Sequence, residues 1–208
     1  MRRYCPFLIL TLMLCTTAPA AAQAWDSPSF FSPRPGEDIG LYVLKVEGID
    51  DIGISAIWRM EGNINLGVRA GIIGRDHYAI GAEFYRPLNL LGPQSPLLMS
   101  WILGVGATFN DVTMLRVPLG LSVGTSFGTP GSVLLTPYVH PRAALDVSAY
   151  DLPGGQEQTD TDVRFEIDLG ADANLGESFV VRVGATIGES NVFGAGIAYR
   201  FSRRLIVR

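Results

Sequence analysis

The chain has 208 residues, of which 48% are hydrophobic and 17% are charged, and its 16 basic and 20 acidic residues give a net charge of −4. This balance excludes an intrinsically disordered chain, and the lack of clustered positive charge before the C-terminal tail argues against nucleic-acid binding. Both cysteines lie within the first 24 residues. A mature chain without that segment has no disulfide, cysteine zinc ligand or cysteine nucleophile.

Residues 1–24 have the layout of a secretory signal peptide. Two arginines precede an apolar core over 7–15, and the segment ends in small residues at Ala22-Gln23-Ala24. The core is shorter than the roughly 20 residues that a membrane-spanning helix needs. We therefore predict removal of this segment after Ala24, with cleavage after Ala22 or an uncleaved anchor as alternatives. The mature net charge would be about −6, since the leader carries two arginines and no acidic residue.

Residues 25–37, WDSPSFFSPRPGE, contain three prolines and predict an extended periplasmic arm. From Asp38 onward, short alternating runs are separated by glycine, asparagine, aspartate or proline, which is typical of strands joined by turns. No segment has a helical stripe of period 3.6, so the sequence predicts an all-β chain. The predicted strands are 38–47, 51–61, 63–73, 77–86, 97–109, 112–127, 132–149, 162–174, 177–188 and 191–202.

Each predicted strand has two different faces. In DVRFEIDLGADANLG, residues 162–176, one face carries Val163, Phe165 and successive apolar residues, while the other carries charged and small residues. A soluble sheet exposes a face rich in Lys, Glu, Thr and Gln. Here the polar faces are dominated by Gly, Ala and Ser with isolated charges, a composition suited to lining a narrow barrel lumen.

The positions of the charged residues indicate whether the apolar face contacts lipid or water. An Arg or Lys at the lipid-facing midplane would cost about 2–4 kcal/mol, and the strand charges avoid the apolar face. We interpret them as lumen-facing charges that form a paired, self-filled interior, with an ion-selective pore or ligand site as the alternative. They are Arg59, Arg69, Glu83, Arg116, Arg142, Asp146, Arg164, Glu166, Asp168, Asp172, Arg182 and Arg200.

Three stretches resemble a known family. NVFGAGIAYRF, which ends on Phe201, resembles the closing strand and assembly signal of bacterial outer-membrane β-barrels, and LRVPLGLSVG and FEIDLGADANLGE resemble small barrels of the outer-membrane β-barrel domain and opacity-protein type. The resemblance covers most of 38–201. It implies an antiparallel transmembrane β-barrel that the barrel assembly machinery recognises through its last strand. The tail 203–208 departs from the family pattern and is expected to leave the bilayer.

The count of ten strands lets the first and last strands pair and removes the sheet edges. Eight is the alternative count, if the weak first run and a neighbour are not strands. With both termini in the periplasm, the acidic segment 150–161 is expected to be an external loop and the long connection 87–96 a periplasmic one. Pro137 and Pro141 predict an irregular seventh strand.

The polar residues offer few candidates for a catalytic or metal site. His140 shares the lumen parity of Asp146 and Ser148, but neighbours on one strand rarely form a hydrolase triad. The acids of 150–161 lack the spacing of an EF-hand loop, and the glycine pairs lack a dinucleotide fingerprint. We therefore predict no catalytic, cofactor-binding or metal-binding residue and no cofactor.

The sequence thus predicts a signal peptide (1–24), a periplasmic arm (25–37), an outer-membrane barrel (38–202) and a tail (203–208). The expected protein is a monomeric, non-enzymatic barrel in the outer membrane of a Gram-negative bacterium, with a structural or passive role. Its expected partners are outer-membrane lipid and the assembly machinery, and no nucleic acid. The alternatives are a narrow pore or small-molecule transporter, an outer-membrane lipid hydrolase, and a soluble barrel.

Overall fold

A computed structural model describes residues 25–47, 51–63, 65–90, 92, 94–110, 112–128, 133–152, 156–188 and 191–201, and leaves the side chains of 150–157 undescribed. The predicted signal peptide and the predicted tail 203–208 lie outside the described residues. Among those residues no helix has both the length and the apolar character needed to cross a membrane.

The described chain forms eleven strand segments, all paired antiparallel. Consecutive strands are neighbours in the sheet, as expected for runs joined by turns. In chain order they are β1 (Asp38–Val46), β2 (Ile52–Met60), β3 (Asn65–Ile73), β4 (His77–Leu88), β5 (Leu97–Phe109), β6 (Thr113–Thr125), β7 (Phe127–Gly128), β8 (Val133–Leu152), β9 (Gln156–Leu175), β10 (Phe179–Ile187) and β11 (Val192–Arg200).

The sheet closes on itself. β1 pairs with β11 and β6 pairs with β8, while the two-residue β7 continues the β6 pairing with β8 beyond Ser126. β6 and β7 therefore count as one barrel strand, which gives a closed ten-stranded antiparallel barrel without a free sheet edge. The predicted fold class and the count of ten, not eight, are confirmed.

The two ends of the barrel are distinguished by their residues. The terminal end is where Asp38, the first residue of β1, pairs with Arg59 and Arg200. The hairpin end is the opposite one, where Val46 pairs with Val192. The aromatic pair Phe179 and Tyr199 lies at the terminal end, with ring centroids 5.6 Å apart.

Prolines interrupt the pairing without changing the register. The β5–β6 ladder has a gap at Pro118, and the ladder of β8 with β6 and β7 has gaps at Pro137 and Pro141. Because proline has no N–H, it removes a ladder hydrogen bond. The β8–β9 ladder continues past both prolines, so the predicted irregularity of this strand affects one of its two neighbours.

Residues 150–161 differ from the predicted external loop. β8 continues to Leu152 and β9 begins at Gln156, and their ladder is continuous from Leu152 to Val133. β6 accompanies β8 only as far as Ala149. The polar side chains of this segment gave a loop-like composition, whereas the backbone pairing across the hairpin extends the two strands. We call residues 150–152 and 156–161 the β8–β9 extension.

Side chains alternate between a buried and an exposed face. In β1 the pattern is strictly alternating from the buried Asp38 to the buried Val46. Most exposed positions are apolar, and Phe165 is 78% exposed. Among the described residues of the barrel strands, outside the β8–β9 extension, the charged residues on the outward face are Lys45 and Arg86, each within two residues of a strand end.

Candidate functional site: the lumen and its arm

The segment before β1 lies inside the barrel. Trp25, Phe30 and Phe31 are 3%, 1% and 0% exposed, and every residue from 25 to 33 is buried. The arm reaches the terminal end at Glu37, whose carbonyl accepts a hydrogen bond of 2.9 Å from the Phe201 amide. This placement corrects the predicted periplasmic arm: residues 25–33 fill the lumen.

Glycines of β4 and β5 make room for the indole of Trp25. A β-carbon on Gly106 would lie 2.6 Å from Trp25 Cε2, and one on Gly104 would lie 3.0 Å from Cη2. The indole of Trp25 also occupies the space where a β-carbon of Gly81 would stand. Its Nε1 donates a hydrogen bond of 3.4 Å to the Arg116 carbonyl. The small inner faces seen in the sequence therefore accommodate the arm.

The arm contributes a carboxylate to a buried ion network. Asp26 pairs with Arg116, whose Nε lies 3.4 Å from Asp26 Oδ1, and with Arg142. On the wall, the same two arginines also bind Glu166, at 2.8 Å from Arg116 Nη2 and 2.6 Å from Arg142 Nη2. Charges removed from water need such partners, and the arm supplies one of them.

Two further arginines hold the backbone of the arm. Arg69 donates hydrogen bonds of 2.7 Å to the Pro28 carbonyl and 2.6 Å to the Ser29 carbonyl. Arg59 donates to the Ser29 and Phe30 carbonyls at 3.2 and 3.1 Å. Buried carbonyls without ladder partners are thereby satisfied by the wall.

Both arginines share one carboxylate on the wall. The Glu83 carboxylate lies 3.4 Å from Arg69 Nη2 and 3.8 Å from Arg59 Nη2. Two cations on one anion leave positive charge for which the arm carbonyls are the complementary acceptors. The wall around Glu83 is therefore electrostatically completed by the arm.

Aromatic contacts fix the middle of the arm. Phe30 stacks on Tyr42 of β1 with ring centroids 4.4 Å apart, and Phe31 meets Tyr85 of β4 edge-on at 4.9 Å. The Arg59 guanidinium carbon lies 4.8 Å from the centroid of Phe31, within the range of a cation–π contact. These rings bury apolar area inside an otherwise ionic lumen.

Toward the terminal end, the network is completed by the wall. Arg182 Nη2 lies 2.6 Å from Asp38 Oδ2, its Nε lies 3.1 Å from Asp172 Oδ2, and its Nη1 donates to the Tyr42 hydroxyl at 2.7 Å. Serine hydroxyls of the wall also hold the arm, since Ser100 donates to the Pro33 carbonyl at 2.5 Å.

His140 does not form a catalytic triad in this structure. Its Nδ1 lies 2.9 Å from Ser29 Oγ and 3.2 Å from Asp168 Oδ2, whereas Nε2 is buried without a hydrogen-bond partner. A triad needs the hydroxyl and the carboxylate on opposite ring nitrogens. In this structure both the hydroxyl and the carboxylate lie next to the same nitrogen, Nδ1. They belong to Ser29 and Asp168, and not to Ser148 and Asp146, which the sequence suggested as partners.

The structure buries ten of the twelve predicted lumen residues. Arg164 is half-buried, with Nε 3.1 Å from Asp146 Oδ2, and Arg200 lies partly buried at the terminal end. The sequence reasoning missed Asp26, Ser29 and Asp38, although the parity of β1 would have placed Asp38 on the inner face. Buried are Arg59, Arg69, Glu83, Arg116, Arg142, Asp146, Glu166, Asp168, Asp172 and Arg182.

The acidic side chains of the described residues are not arranged around a metal ion. No group of three or more histidine, cysteine, aspartate or glutamate side chains within the described ranges is arranged to hold a metal ion. The acidic side chains of the lumen face arginines, so the arrangement binds the arm.

Fold and lumen together define a closed antiparallel β-barrel whose interior is filled by its own N-terminal arm. Neither a scan against protein-family models nor a search of the curated proteins gave a match. Among solved structures, the chain is similar to the N-terminal β-barrel domain of Pseudomonas aeruginosa OprF, with 14% identity, 81% of this chain and 100% of that chain covered, and a TM-score of 0.40.

Two further solved structures are similar. The KdgM porin in complex with disordered oligogalacturonate has 8% identity and a TM-score of 0.45, over 79% of this chain and 99% of that chain. Acinetobacter baumannii Omp33, an outer membrane protein, has 9% identity and a TM-score of 0.35, over 80% and 100% of the two chains. All three TM-scores lie below 0.5, and the predicted fold is confirmed by the closed barrel of this chain itself.

Proposed function

We propose that the protein is an integral outer-membrane β-barrel of a Gram-negative bacterium with a structural or passive role and no enzymatic activity. The exposed apolar face supports the membrane location. Strands of nine residues, at about 3.3 Å per residue and tilted by about 40°, give an apolar band of roughly 23 Å, which matches the height of such barrels.

Aromatic residues at both ends support the same location. Trp58 and Tyr199 are exposed on the outer face at the terminal end, and Tyr78 and Phe109 pair with each other at the hairpin end. Aromatic side chains in two bands flank the apolar region of outer-membrane barrels. Fractionation with and without detergent tests the location, together with gel mobility before and after boiling. A protein that is soluble without detergent would contradict it.

The passive role is carried by one observation, the arm inside the lumen. Asp26 between Arg116 and Arg142 blocks the middle of a barrel that is already narrow at ten strands. The arm is part of the same chain and is enclosed by ion pairs, which favours a closed interior over an open channel.

Single-channel recording in planar bilayers tests closure. We expect the full chain to show no stable conductance, and a variant lacking residues 25–35 to show discrete steps, because the deletion empties the lumen. Heat-modifiable gel mobility reports whether the deletion variant folds. If it does not, Trp25→Ala combined with Phe31→Ala loosens the arm without removing it. Stable conductance through the full chain, unchanged in the variants, would contradict the proposal.

A narrow pore or small-molecule transporter is the second candidate. A cavity of about 470 Å³ enters the lumen at the terminal end and is lined by polar residues, among them Arg34 and Arg200. An entrance of this kind favours solute passage if the arm moves. Conductance or solute flux through the full chain distinguishes this candidate from the closed barrel.

The partners follow from the proposed location. We infer that the barrel is a monomer surrounded by outer-membrane lipid, and that the assembly machinery recognises β11 and Phe201. The exposed ring of Phe201 lies 5.7 Å from that of Tyr199, so the last strand ends in an aromatic pair on the outer face. Replacing Phe201 by Ser should reduce the amount of assembled barrel, measured as the heat-modifiable fraction.

A further inference from the structure

The cavity at the terminal end lies between the arm and the barrel wall. Its volume of about 470 Å³ falls within the range of small-molecule sites. The arm, the long connection after β4, and strands β8, β9 and β11 all contribute to it. Eight of its lining residues are polar, among them two arginines, Arg34 and Arg200, and one carboxylate, Asp172.

The arginines of this cavity differ from those deeper in the lumen. Each of the five buried arginines of the lumen lies within 4.0 Å of a carboxylate oxygen. Within the described residues, neither Arg34 nor Arg200 has such an ion pair, and Arg200 Nε is buried without a hydrogen-bond partner. An unpaired guanidinium facing a cavity is suited to an oxyanion, which it binds in bidentate fashion.

The other polar atoms of the cavity indicate that a ligand needs hydrogen-bond donors as well as a negative charge. Asn174 Oδ1 and Asp172 Oδ1 are buried acceptors without a donor, although Asn174 Nδ2 donates to the Leu134 carbonyl at 3.2 Å and Asp172 Oδ2 accepts from Arg182. Ser126 Oγ and Thr136 Oγ1 lie 2.8 Å apart, and only one of these hydroxyls donates within the pair. A ligand that offers hydroxyl donors as well as an anionic group satisfies both sets of atoms.

We propose that this cavity binds a small, water-soluble, hydroxylated oxyanion such as a sugar phosphate or a sugar acid. Arg34 and Arg200 hold the anionic group, while Asn174, Asp172 and the hydroxyl pair receive the polar body. The site goes beyond the passive role, since a closed barrel needs no ligand at its terminal end.

The proposal also gives a role to the long connection after β4. Ser95 and Pro96 of this connection line the cavity. A smaller adjoining space of about 50 Å³ places Arg34 next to Pro87 and Asn89 of the same connection. Ser95 and Pro96 thus form one wall of the site, and Pro87 and Asn89 share the smaller space with the arginine of the arm.

Nuclear magnetic resonance of the folded full chain in detergent micelles tests the site. Amide shifts are followed during titration with glucose 6-phosphate, gluconate, inorganic phosphate and glucose. We expect saturable shifts around Ser95, Ser126 and Asn174 with the first two, weaker shifts with phosphate, and none with glucose. The comparison of glucose 6-phosphate with gluconate distinguishes a phosphate from a carboxylate site.

Two variants and a matched control test the arginines. Arg34→Gln and Arg200→Gln should each weaken binding by about tenfold, because each removes charge-assisted hydrogen bonds. Arg86→Gln removes an arginine from the outer face and should leave binding unchanged. Arg34 is exposed on the arm, so its variant keeps the assay interpretable if Arg200→Gln does not fold.

The results separate this site from the closed barrel. Equal shifts with glucose and glucose 6-phosphate, shifts confined to other parts of the barrel, or no loss in Arg34→Gln would overturn the site. Ligand binding is measured in micelles, whereas the closed lumen is tested by conductance in bilayers. The ligand site and the closed barrel are therefore tested independently of each other.

Discussion

The indole of Trp25 occupies the inner surface at Gly81, where a β-carbon would lie 2.5 Å from Trp25 Cδ2. The two residues belong to the arm and to β4, and their contact defines how deeply the arm enters the barrel. A larger residue at position 81 has no space unless the indole moves, because the three nearest atoms all belong to that ring.

We therefore expect Gly81→Val to displace the start of the arm. With Trp58→Phe and Trp101→Phe as background, the remaining fluorescence comes from Trp25. The valine variant should show a red-shifted emission and greater acrylamide quenching, because the indole becomes more exposed.

Ala82→Val is the matched control for this change, since its side chain projects to the outer face of the same strand. It should leave the emission of Trp25 unaltered. An unchanged spectrum in Gly81→Val would show that the indole is not seated against β4.

The pair of Arg69 and Glu83 is expected to be coupled to the arm. Replacing Arg69 by Met leaves the carbonyls of Pro28 and Ser29 without their donor and weakens a buried ion pair. The free energy of unfolding in urea should fall by about 3–5 kcal/mol.

The double variant Arg69→Met with Glu83→Leu should lose less than the sum of the single losses, since two partners are removed together. It should still be less stable than the parent, because the arm carbonyls remain unsatisfied. Arg164→Met, at a half-buried pair with Asp146, serves as the reference and should lose less. Strict additivity would indicate that Arg69 and Glu83 act independently.

A charge placed at Leu119 tests whether the outer face of the barrel contacts a lipid bilayer. It is 56% exposed in the middle of β6, so Leu119→Arg in lipid vesicles should lower the free energy of unfolding by about 2–4 kcal/mol. The reason is the removal of a charge from water at the midplane of the bilayer.

Thr113→Arg at the first residue of β6 gives the comparison. Near the interface, the same charge should cost about 0–1 kcal/mol. Equal losses at the two positions would argue against a bilayer around this face.

His140 is expected to contribute to stability and not to lipid hydrolysis. His140→Gln alters the contacts with Ser29 and Asp168, so the folded state should be less stable in urea. The acylation of lipid A should stay as in the parent, measured by mass spectrometry of cells that express each form.

Ser29→Ala removes the hydroxyl next to His140 and tests the same idea from the arm. It too should leave lipid A unchanged. A change in acylation in either variant, with the barrel still heat-modifiable, would revive the hydrolase hypothesis.

The sequence was sufficient for the wall of the barrel, because side chains alternate with a period of two and one of the two faces is almost uniformly apolar. The clean parity of residues 63–73 and 162–174 therefore predicted which side chains are buried. Ladder register followed from short connections between consecutive strands.

The arm was not predictable in the same way. WDSPSFFSPRPGE has no period, and three prolines indicate only an extended chain. Its position depends on contacts such as that of Asp26 with Arg142, which are separated by 116 residues. The β8–β9 extension was missed for a related reason, since backbone pairing and not an apolar face holds it together.

The arm joins the barrel only at its C-terminal side, where Glu37 precedes β1. Withdrawing residues 25–33 breaks side-chain contacts but opens no ladder between strands. The arm is therefore a tethered intramolecular ligand, whose local concentration is set by a link of a few residues. Occupancy of the lumen should not depend on how dilute the protein is, and any solute that enters must compete with a segment that never diffuses away.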